Sequence, residues 1–416
     1  MLIVCFFFPP SPGIGGRRSA KFAKYLAKLG NEVHVIRAKS PFEAISPWQK
    51  DVSNITGIYQ YELPIAYPVE FIIPPKTIVG KIKYRLYDYY FNIFHAAKNK
   101  YDYSFFWKKK YLKQAEEIIE KYAIKNILIS GPPFYYAHET LKLKDRFPDL
   151  NIIVDFRDPW IGSPYYGMSS LKEKQQAFEI NVFNDVFKKA DYFTAPNTFL
   201  LNKQKEFVYK QNTSGAKLVE IPHAYDIDEV NSFIDQKNNN SQAKKIVLTY
   251  GGQLYPGTKE TIMALAAFLD LLKKENNELY SRLEINFYTP ETHQVDFFKT
   301  HQSIVNFSKP VGNEIMAKIA ASDYCLIFLA EHNKDFKTTK FLEYSVLRKP
   351  FIVLGDKGYV AQFVEENKLG KAYDKNSISA LRSLLEDPGD LIFNKEFNVS
   401  EYSFENVILK LQALLK

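Results

Sequence analysis

Two loops in the first part of the chain carry residues whose chemistry suits a bound anion or a proton transfer. The first, at 9–18, reads PPSPGIGGRR and leads from a predicted strand into a predicted helix. Its glycines allow a ligand to approach the backbone closely, and the helix N-terminus offers free amides to an anion. The loop matches neither the dinucleotide fingerprint nor the P-loop, and a tight structural turn is an equally good interpretation.

The second loop is DFRDPW at 155–160. Its two carboxylates, guanidinium and indole could supply a general base, a hydroxyl clamp and a sugar-stacking face. These groups belong to Asp155, Asp158, Arg157 and Trp160. The alternative is a structural Arg–Asp pair that ties the loop together. His138, in the preceding helix, could point at the same ligand, although a lone helical histidine is more often a surface or packed residue.

The second half of the chain repeats this arrangement of strand, flexible turn and helix. Gly252 lies in the turn, and Lys259 is near the start of the following helix, a combination that suits a diphosphate. If a further helix begins near Thr338, its free amides face the phosphates, and Glu343 lies about one turn further in, within reach of a ribose diol. Asp335 precedes Glu343 by eight residues, a spacing that carries no meaning by itself.

The elements that position these loops follow from the hydrophobic pattern. Apolar runs alternate with amphipathic stretches, which predicts parallel sheets flanked by helices. The predicted strands are 2–8, 32–37, 126–130, 151–155, 191–195, 217–221, 245–250, 282–288, 323–329 and 350–354. The predicted helices are 17–29, 108–122, 134–146, 170–189, 258–274, 292–300, 312–320, 338–347, 358–367 and 404–415. Ligands of doubly wound sheets bind beyond the carboxyl ends of strands, so we expect the site in the loops there.

Length and composition set the broad class. The 416 residues are 46% hydrophobic and 25% charged, which excludes a disordered or fibrous chain and predicts more than one domain. Cys5 and Cys325 lie in apolar runs and are expected to be reduced core thiols, as in a cytoplasmic protein. MLIVCFFF at 1–8 reads as a buried strand because it lacks a basic leader and a cleavage site. We expect no transmembrane helix.

The positive charge is concentrated at 76–113. This segment holds ten basic residues against Asp88 and Asp102, which accounts for the whole formal net charge of +8. It also holds twelve aromatic residues. A basic and aromatic composition favours contact with an anionic membrane surface. The alternative is a helical hairpin that packs its rings internally, and no recognised nucleic-acid motif accompanies the segment.

Taken in order, these features resemble glycosyltransferases of the GT-B fold, in particular the family 4-like branch that builds bacterial surface polysaccharides. The resemblance spans nearly the whole chain, and DFRDPW and the K-x-x-E-Y segment at 340–344 are its most specific parts. It also rests on the PP…GGR opening, SGPP, IPHAYD, GGQLY and KFLEYSVLRKPFIVLG.

The resemblance implies an α/β fold with two doubly wound, Rossmann-like domains that face each other across a cleft. We expect an acceptor-binding domain at 1–223, a linker at 224–244 and a nucleotide-sugar domain at 245–400. A C-terminal helix at 401–416 is expected to pack back on the first domain. The implied reaction transfers a sugar from a nucleotide-sugar, most simply UDP-linked, to a hydroxyl, with retained anomeric configuration and without a metal or other cofactor.

The resemblance also assigns roles to residues of the second domain. Glu343 would bind the donor ribose, and Asp335 would contact the hydroxyls of the donor sugar. Backbone amides of Thr338 and Thr339 would bind the diphosphate, which Lys259 would neutralise. The loop 308–311 would read the base through its backbone. The remaining donor-binding candidates of this domain are Gly252, Lys309, Val311 and Lys340.

In the first domain, Gly15, Gly16 and Arg17 would close over the diphosphate and exclude water. Two departures from the family pattern concern the second domain: Gln253 stands where many relatives have an arginine, and Asp335 replaces a glutamate.

The expected partners are the nucleotide-sugar, a lipid-linked or other surface-glycan acceptor and, through 76–113, the inner face of the cell membrane; nucleic acid is not expected. Two other functions stay open: a nucleotide-sugar epimerase of the same fold, and a non-catalytic scaffold that has kept the fold. If Asp155 or Asp158 acted as a base, the reaction would instead be inverting.

Overall fold

The chain folds into two α/β units, each built on its own parallel sheet. The computed structural model describes residues 1–95, 98–163, 166, 168–209, 215–234, 245–290, 294–331, 334–335, 338–387 and 391–416. The first unit comprises Met1–Pro222 and Phe404–Lys416, and the second comprises His223–Ser403. The expected linker at 224–244 starts inside the second unit, and its residues 235–244 lie outside the described residues.

The first unit is built on a parallel sheet of seven strands. The strands are β1 (Leu2–Cys5), β2 (Val33–Ala38), β3 (Ile58–Leu63), β4 (Asn126–Gly131), β5 (Asn151–Phe156), β6 (Tyr192–Ala195) and β7 (Lys217–Glu220). Their order across the sheet is β3-β2-β1-β4-β5-β6-β7. Every residue of β1, β4 and β5 is buried, because helices cover both faces of a parallel sheet. This burial explains the unbroken apolar runs that predicted these strands.

Ten helices of this unit are described. They are α1 (Arg17–Lys28), α2 (Lys50–Ser53), α3 (Val69–Ile72), α4 (Ile78–Phe94), α5 (Lys108–Tyr122), α6 (Tyr135–Thr140), α7 (Leu143–Arg146), α8 (Glu173–Lys189), α9 (Thr198–Lys205) and α17 (Phe404–Gln412). Helix α1 ends before Gly30, whose φ of 85° suits a residue without Cβ. The C-terminal helix α17 packs on α1, where Phe404 stacks on Tyr25 with ring centroids 5.6 Å apart.

The second unit has a parallel sheet of six strands, in the order β10-β9-β8-β11-β12-β13. The strands are β8 (Ile246–Gly251), β9 (Leu283–Tyr288), β10 (Val305–Ser308), β11 (Tyr324–Leu329), β12 (Phe351–Gly355) and β13 (Gly370–Tyr373). The helices are α10 (Ile227–Ile234), α11 (Lys259–Glu275), α12 (Asn277–Arg282), α13 (Ile315–Ala320), α14 (Thr339–Ser345), α15 (Tyr359–Glu366) and α16 (Leu381–Glu386).

Each sheet has a point at which its strand order reverses. In the first unit β1 lies between β2 and β4, and in the second unit β8 lies between β9 and β11. The chain leaves the central strand toward one edge of the sheet and its neighbour β4 or β11 toward the other edge. A crevice therefore opens beyond the carboxyl ends of these two strands. The loops after β1 and β8, which the sequence singled out, both start at such a reversal.

The α/β class and the two parallel sheets are confirmed, whereas several predicted elements are wrong in detail. The helix predicted at 134–146 is two short helices, α6 and α7. Of the helix predicted at 292–300, residues 292 and 293 lie outside the described residues, and Val295–His301 is a 3-10 segment with a kink at Phe298. Strands β3, β10 and β13 were not predicted. They lie at or near sheet edges, where strands are half exposed and lack continuous apolar runs.

Within the part of the chain that the structure describes, no helix combines the length and the apolar composition needed to cross a membrane.

Candidate functional site

Asp155 lies at the centre of a buried polar network at the carboxyl ends of three strands. Its side chain is fully buried, and both of its oxygens accept bonds from the Arg18 guanidinium at 2.9 Å. Thr194 of β6 donates at 2.8 Å and Ser130 of β4 donates at 3.3 Å. Arg18 also donates to two main-chain carbonyls at the end of the first unit, those of Ile221 and Pro222.

This network favours the structural alternative for Asp155. A carboxylate with four donors and no solvent exposure has no oxygen left for a substrate proton. The partner in the pair is Arg18 and not Arg157, which the sequence did not reveal. One signal was available: Arg17 and Arg18 stand in the first turn of α1, where the helix dipole disfavours cations unless a carboxylate compensates them.

Arg157 joins the two loops at the strand-order reversal of the first sheet. Its guanidinium donates to the Gly15 carbonyl of the loop after β1 and, at 2.9 Å, to the Pro132 carbonyl of the loop after β4. Its Nε atom lies 3.5 Å from an Asp158 oxygen and makes no hydrogen bond. Asp158 is about half exposed, so within DFRDPW it presents a carboxylate to solvent.

Trp160 is a core residue, so its predicted role as a sugar-stacking face is wrong. The indole is fully buried and stacks on Phe134 with ring centroids 4.6 Å apart. Its N–H donates to Glu179 of α8 at 2.9 Å. Burial, with the nearby Asp102 carboxylate as a second cause, raises the pKa of Glu179 to about 8. The indole therefore anchors the loop after β5 to helix α8.

Two further candidates of the first unit lie away from an open loop surface. Arg17 is buried, and its guanidinium lies over the rings of Trp48 and Phe404 at 6.0 and 5.5 Å. This placement does not present Arg17 to a ligand on the loop at 9–18. His138 points toward α8, with Nε2 3.6 Å from Asp185, and burial lowers its pKa.

The glycines of the first loop differ in what surrounds them. A Cβ at Gly16 would lie 3.2 Å from the Phe7 carbonyl oxygen, so this glycine permits the loop to pack closely on the backbone directly after β1. A Cβ at Gly15 would meet the Arg157 guanidinium at 3.5 Å, which is ordinary contact. The structure therefore gives Gly16 a packing role, and places Gly15 beside the Arg157 guanidinium, which joins the two loops.

In the second unit, the turn after β8 meets α14. The Tyr344 hydroxyl donates to the Gly251 carbonyl at 3.0 Å, and the Tyr250 hydroxyl donates to the Gln253 carbonyl at 2.7 Å. A Cβ at Gly252 would lie 3.0 Å from Lys340 Nζ. The glycine turn, a lysine ammonium and the first turn of a helix thus converge at the carboxyl edge of the sheet, beside its strand-order reversal. The sequence did not predict that Tyr344 positions this turn through its bond to Gly251.

Helix α14 begins where the sequence predicted. Thr338 is its N-cap, and the Thr338 hydroxyl accepts from the Phe341 amide at 3.3 Å. The amides of the first turn that the cap leaves open, Thr339 among them, can face an anion. Glu343 lies on the same helix, one turn after Thr339, and is half-buried.

The other predicted donor residues are spread over neighbouring loops. One oxygen of Asp335 accepts from the Tyr359 amide at 3.0 Å and so caps α15, which gives Asp335 a structural role. Lys259 is exposed at the first residue of α11. Lys309 and Val311 follow β10, with Lys309 exposed and Val311 half-buried.

No protein-family model matches the sequence, and no curated protein is significantly similar to it. Solved structures are similar over almost the full length. HepE from Anabaena, crystallised with UDP, is 12% identical, with a TM-score of 0.61 and 99% of both chains covered. WaaG, a glycosyltransferase involved in lipopolysaccharide biosynthesis, is 13% identical, with a TM-score of 0.55, over 100% of this chain and 98% of that chain.

A third similar structure is a protein from Listeria monocytogenes described as a UDP-N-acetylglucosamine 2-epimerase. It is 10% identical, with a TM-score of 0.52, over 99% of this chain and 95% of the other. At such identities a structural likeness establishes the fold. The chain has the GT-B fold. This result confirms the fold class predicted from the sequence. The candidate donor-binding residues of this GT-B protein lie mainly on the second unit.

The first prediction concerns the Arg18–Asp155 pair. Arg18→Met should lower the free energy of unfolding by about 3–5 kcal/mol, because it leaves a buried carboxylate without its cation. Arg146→Met is the matched control: Arg146 pairs with Glu116 and Glu120 at the surface, and its loss should cost at most about 1 kcal/mol. Urea unfolding measures both. Equal losses for the two variants would contradict the role assigned to Arg18.

The second prediction concerns the pH dependence of stability. The pKa of Glu179 in the folded protein, about 8, exceeds the ordinary value of 4.5. Between these values the folded state holds a proton that the unfolded state has lost. The contribution of Glu179 to stability is therefore complete below pH 4.5 and is lost as pH rises through 8, by about 1.4 kcal/mol per pH unit.

Glu179→Gln removes this titration and keeps an oxygen acceptor for the Trp160 indole. We expect the free energy of unfolding of the variant, relative to wild type, to increase between about pH 5 and about pH 7.5 in urea titrations. A difference between the two proteins that stays constant over this range would show that Glu179 does not hold a proton in the folded state.

The third prediction contrasts the two glycines of the turn after β8. A Cβ at Gly251 would lie 2.4 Å from the Ile315 side chain and 2.8 Å from the Tyr344 hydroxyl, both in packed positions. Gly251→Ala should therefore destabilise the fold by roughly 1–3 kcal/mol. Gly252→Ala should cost less, about 1 kcal/mol, because its Cβ would lie 2.9 Å from the Tyr250 hydroxyl and 3.0 Å from Lys340 Nζ, the outer ends of two side chains that can shift slightly. Thermal unfolding of both variants checks the contrast, and a larger loss for Gly252→Ala would refute it.

Proposed function

We propose that this protein is a glycosyltransferase that takes a sugar from a UDP-linked donor and transfers it to a hydroxyl of an acceptor. The observation that carries the proposal is the meeting of Gly252, Lys340 and the first turn of α14 at the strand-order reversal of the second sheet. The UDP complexes of the structurally similar HepE support the choice of nucleotide.

The chemistry follows from the charge that develops in the reaction. When the bond between the sugar and the diphosphate breaks, the leaving UDP gains negative charge. An ammonium and helix amides that are already in place stabilise this charge more in the transition state than in the ground state. In this proposal Lys340 and the amides of Thr338 and Thr339 bind the diphosphate, Lys259 neutralises it, and Glu343 holds the ribose.

The base and the sugar occupy neighbouring loops. We assign the base to the backbone near Lys309 and Val311, after β10. Asp335 uses one oxygen to cap α15, and its other oxygen is assigned to a sugar hydroxyl. The donor groups named here are amides, ammonium groups and single carboxylates, so the proposed mechanism uses no metal, and retention of the anomeric configuration follows the family resemblance.

The acceptor is assigned to the first unit. Asp158 is half exposed beside Arg157, so it is the better candidate of the DFRDPW carboxylates for contact with an acceptor hydroxyl. We propose a lipid-linked or surface-glycan acceptor, met by a cytoplasmic enzyme at the inner face of the membrane. Two buried, free cysteines, Cys5 and Cys325, support a reducing compartment.

A nucleotide-sugar epimerase is the second candidate, supported by the fold of the Listeria protein. The two functions differ in their need for an acceptor. An epimerase interconverts UDP-sugars alone, whereas a transferase releases UDP at a rate that depends on the acceptor. A non-catalytic scaffold would give neither product.

The fourth prediction tests the donor site. Lys340→Ala should weaken the binding of UDP about tenfold or more, because it removes a cation from the diphosphate. Lys274→Ala is the matched control, since it removes the same charge from the far end of α11, roughly 22 Å along the helix from Lys259. Isothermal titration calorimetry measures both affinities. Equal affinity of Lys340→Ala and wild type would refute the assigned site, and binding by neither protein would favour a scaffold.

A further inference from the structure

Helix α4 exposes an unusual amount of apolar surface. Among the described residues, nineteen large hydrophobic side chains are exposed, and nine of them belong to this single helix. The nine are Ile78, Val79, Ile82, Leu86, Tyr87, Tyr89, Tyr90, Ile93 and Phe94. Surface helices normally place such residues toward the core. An exposed patch of this kind marks a binding surface.

The exposed residues of α4 form one continuous face. At about 100° per residue, the stripe from Ile78 through Ile82 and Leu86 to Ile93 covers one side of the helix. Lys81 and Arg85 lie along one edge of this face, and Lys83 lies within it, between Tyr90 and Phe94. The helix is therefore amphipathic, and its apolar side faces solvent.

A third side of α4 attaches the helix to the first unit. Phe91 is buried, and Tyr84 packs edge-on against Phe71 of α3 with ring centroids 5.1 Å apart. Asp88 pairs with Lys100 at 2.7 Å, so the one acidic residue of the helix is neutralised. These contacts fix the rotation of α4 about its axis, and the apolar face stays outward.

An apolar groove runs beside this face. It has a volume of about 430 Å³ and is lined by Ala66, Pro68, Phe71, Leu86, Tyr87, Tyr90, Phe91 and Phe106. Three of these residues, Leu86, Tyr87 and Tyr90, also belong to the exposed face of α4, so the groove opens onto that face. Its lining is almost entirely hydrocarbon and aromatic, which suits an alkyl chain and not a polar ligand.

We propose that α4 lies in the interfacial layer of an anionic bilayer, with its apolar face toward the acyl chains, and that the groove takes an acyl chain of a bilayer lipid. Charge complementarity selects this partner, because Lys81 and Arg85 at the edge of the face suit anionic head groups, the long Lys83 side chain can extend to the same head groups, and the rest of the face suits hydrocarbon. The helix has 17 residues, about 25 Å, and lies along the surface. This inference deepens the proposed function. Binding of α4 to a bilayer does not depend on that function, whereas the link to a lipid-borne acceptor does.

The first experiment compares two double variants on vesicles of phosphatidylcholine and phosphatidylglycerol. Ile82→Ser with Ile93→Ser removes two side chains, each 52% exposed, from α4. The control, Met263→Ser with Leu271→Ser, removes two side chains, each 46% exposed, from α11, which also has 17 residues. We expect cosedimentation of the α4 variant to fall about tenfold or more, and that of the control to match wild type.

Replacing Lys81, Lys83 and Arg85 by Gln should reduce binding to the anionic vesicles by about a hundredfold and leave binding to pure phosphatidylcholine unchanged. The measurement uses no donor or acceptor. Its failure is therefore distinguishable from a failure of UDP binding, which is measured in solution without vesicles.

The second experiment probes the groove. Tyr90→Trp places a reporter at its rim. Of the three native tryptophans, Trp107 and Trp160 are buried and Trp48 is half-buried, so the quenching of wild type is subtracted. Phosphatidylcholine brominated along the acyl chain should quench the added fluorescence of Tyr90→Trp. The same lipid should leave Asn92→Trp, on the polar side of α4, unquenched.

Three results would overturn the proposal. The first is equal vesicle binding by wild type and the α4 variant. The second is equal quenching of the two tryptophan reporters. The third is a sedimentation profile in which wild type self-associates through α4 without binding vesicles. The last result would assign the face to a second copy of the chain.

Discussion

The bidentate pair between Arg18 and Asp155 is the interaction on which the first unit depends. It joins the first turn of α1 to the end of β5, and Ser130 and Thr194 extend the network to the neighbouring strands. Arg18 also holds the carbonyls of Ile221 and Pro222. A buried ion pair is costly unless its geometry satisfies both partners, and here each has several further hydrogen bonds. The loops at 9–18 and 155–160 therefore start from a rigid base.

The two units hold the loop at their strand-order reversal by different contacts. In each, a glycine-containing loop leaves the sheet at the point of strand-order reversal. In the first unit, Arg157 ties that loop to its neighbour through main-chain carbonyls. In the second, Tyr344 and Lys340 of α14 meet the turn directly. Arg157 in the first unit holds the loops together, whereas Lys340 in the second unit is exposed at the edge where we propose that the diphosphate binds.

The sequence predicted the α/β class and most buried strands, because a strand covered on both faces must be apolar throughout. It located the start of α14 at Thr338, since caps are local signals. It could not identify the partners of Asp155 or the burial of Trp160, which depend on residues far apart in the chain. From composition it predicted a membrane contact at 76–113 and left internal packing open, because the outward rotation of α4 depends on its contacts with Phe71 and Lys100.

The central claim is that the carboxyl edge of the second sheet binds a nucleoside diphosphate through its phosphates. Calorimetric titration of the wild-type protein with UDP, UMP and uridine tests it most directly. If the turn at Gly252 and the first turn of α14 hold the diphosphate, affinity should fall at least about tenfold with each phosphate removed. Equal affinity for UDP and uridine, or no binding of either, would contradict the claim.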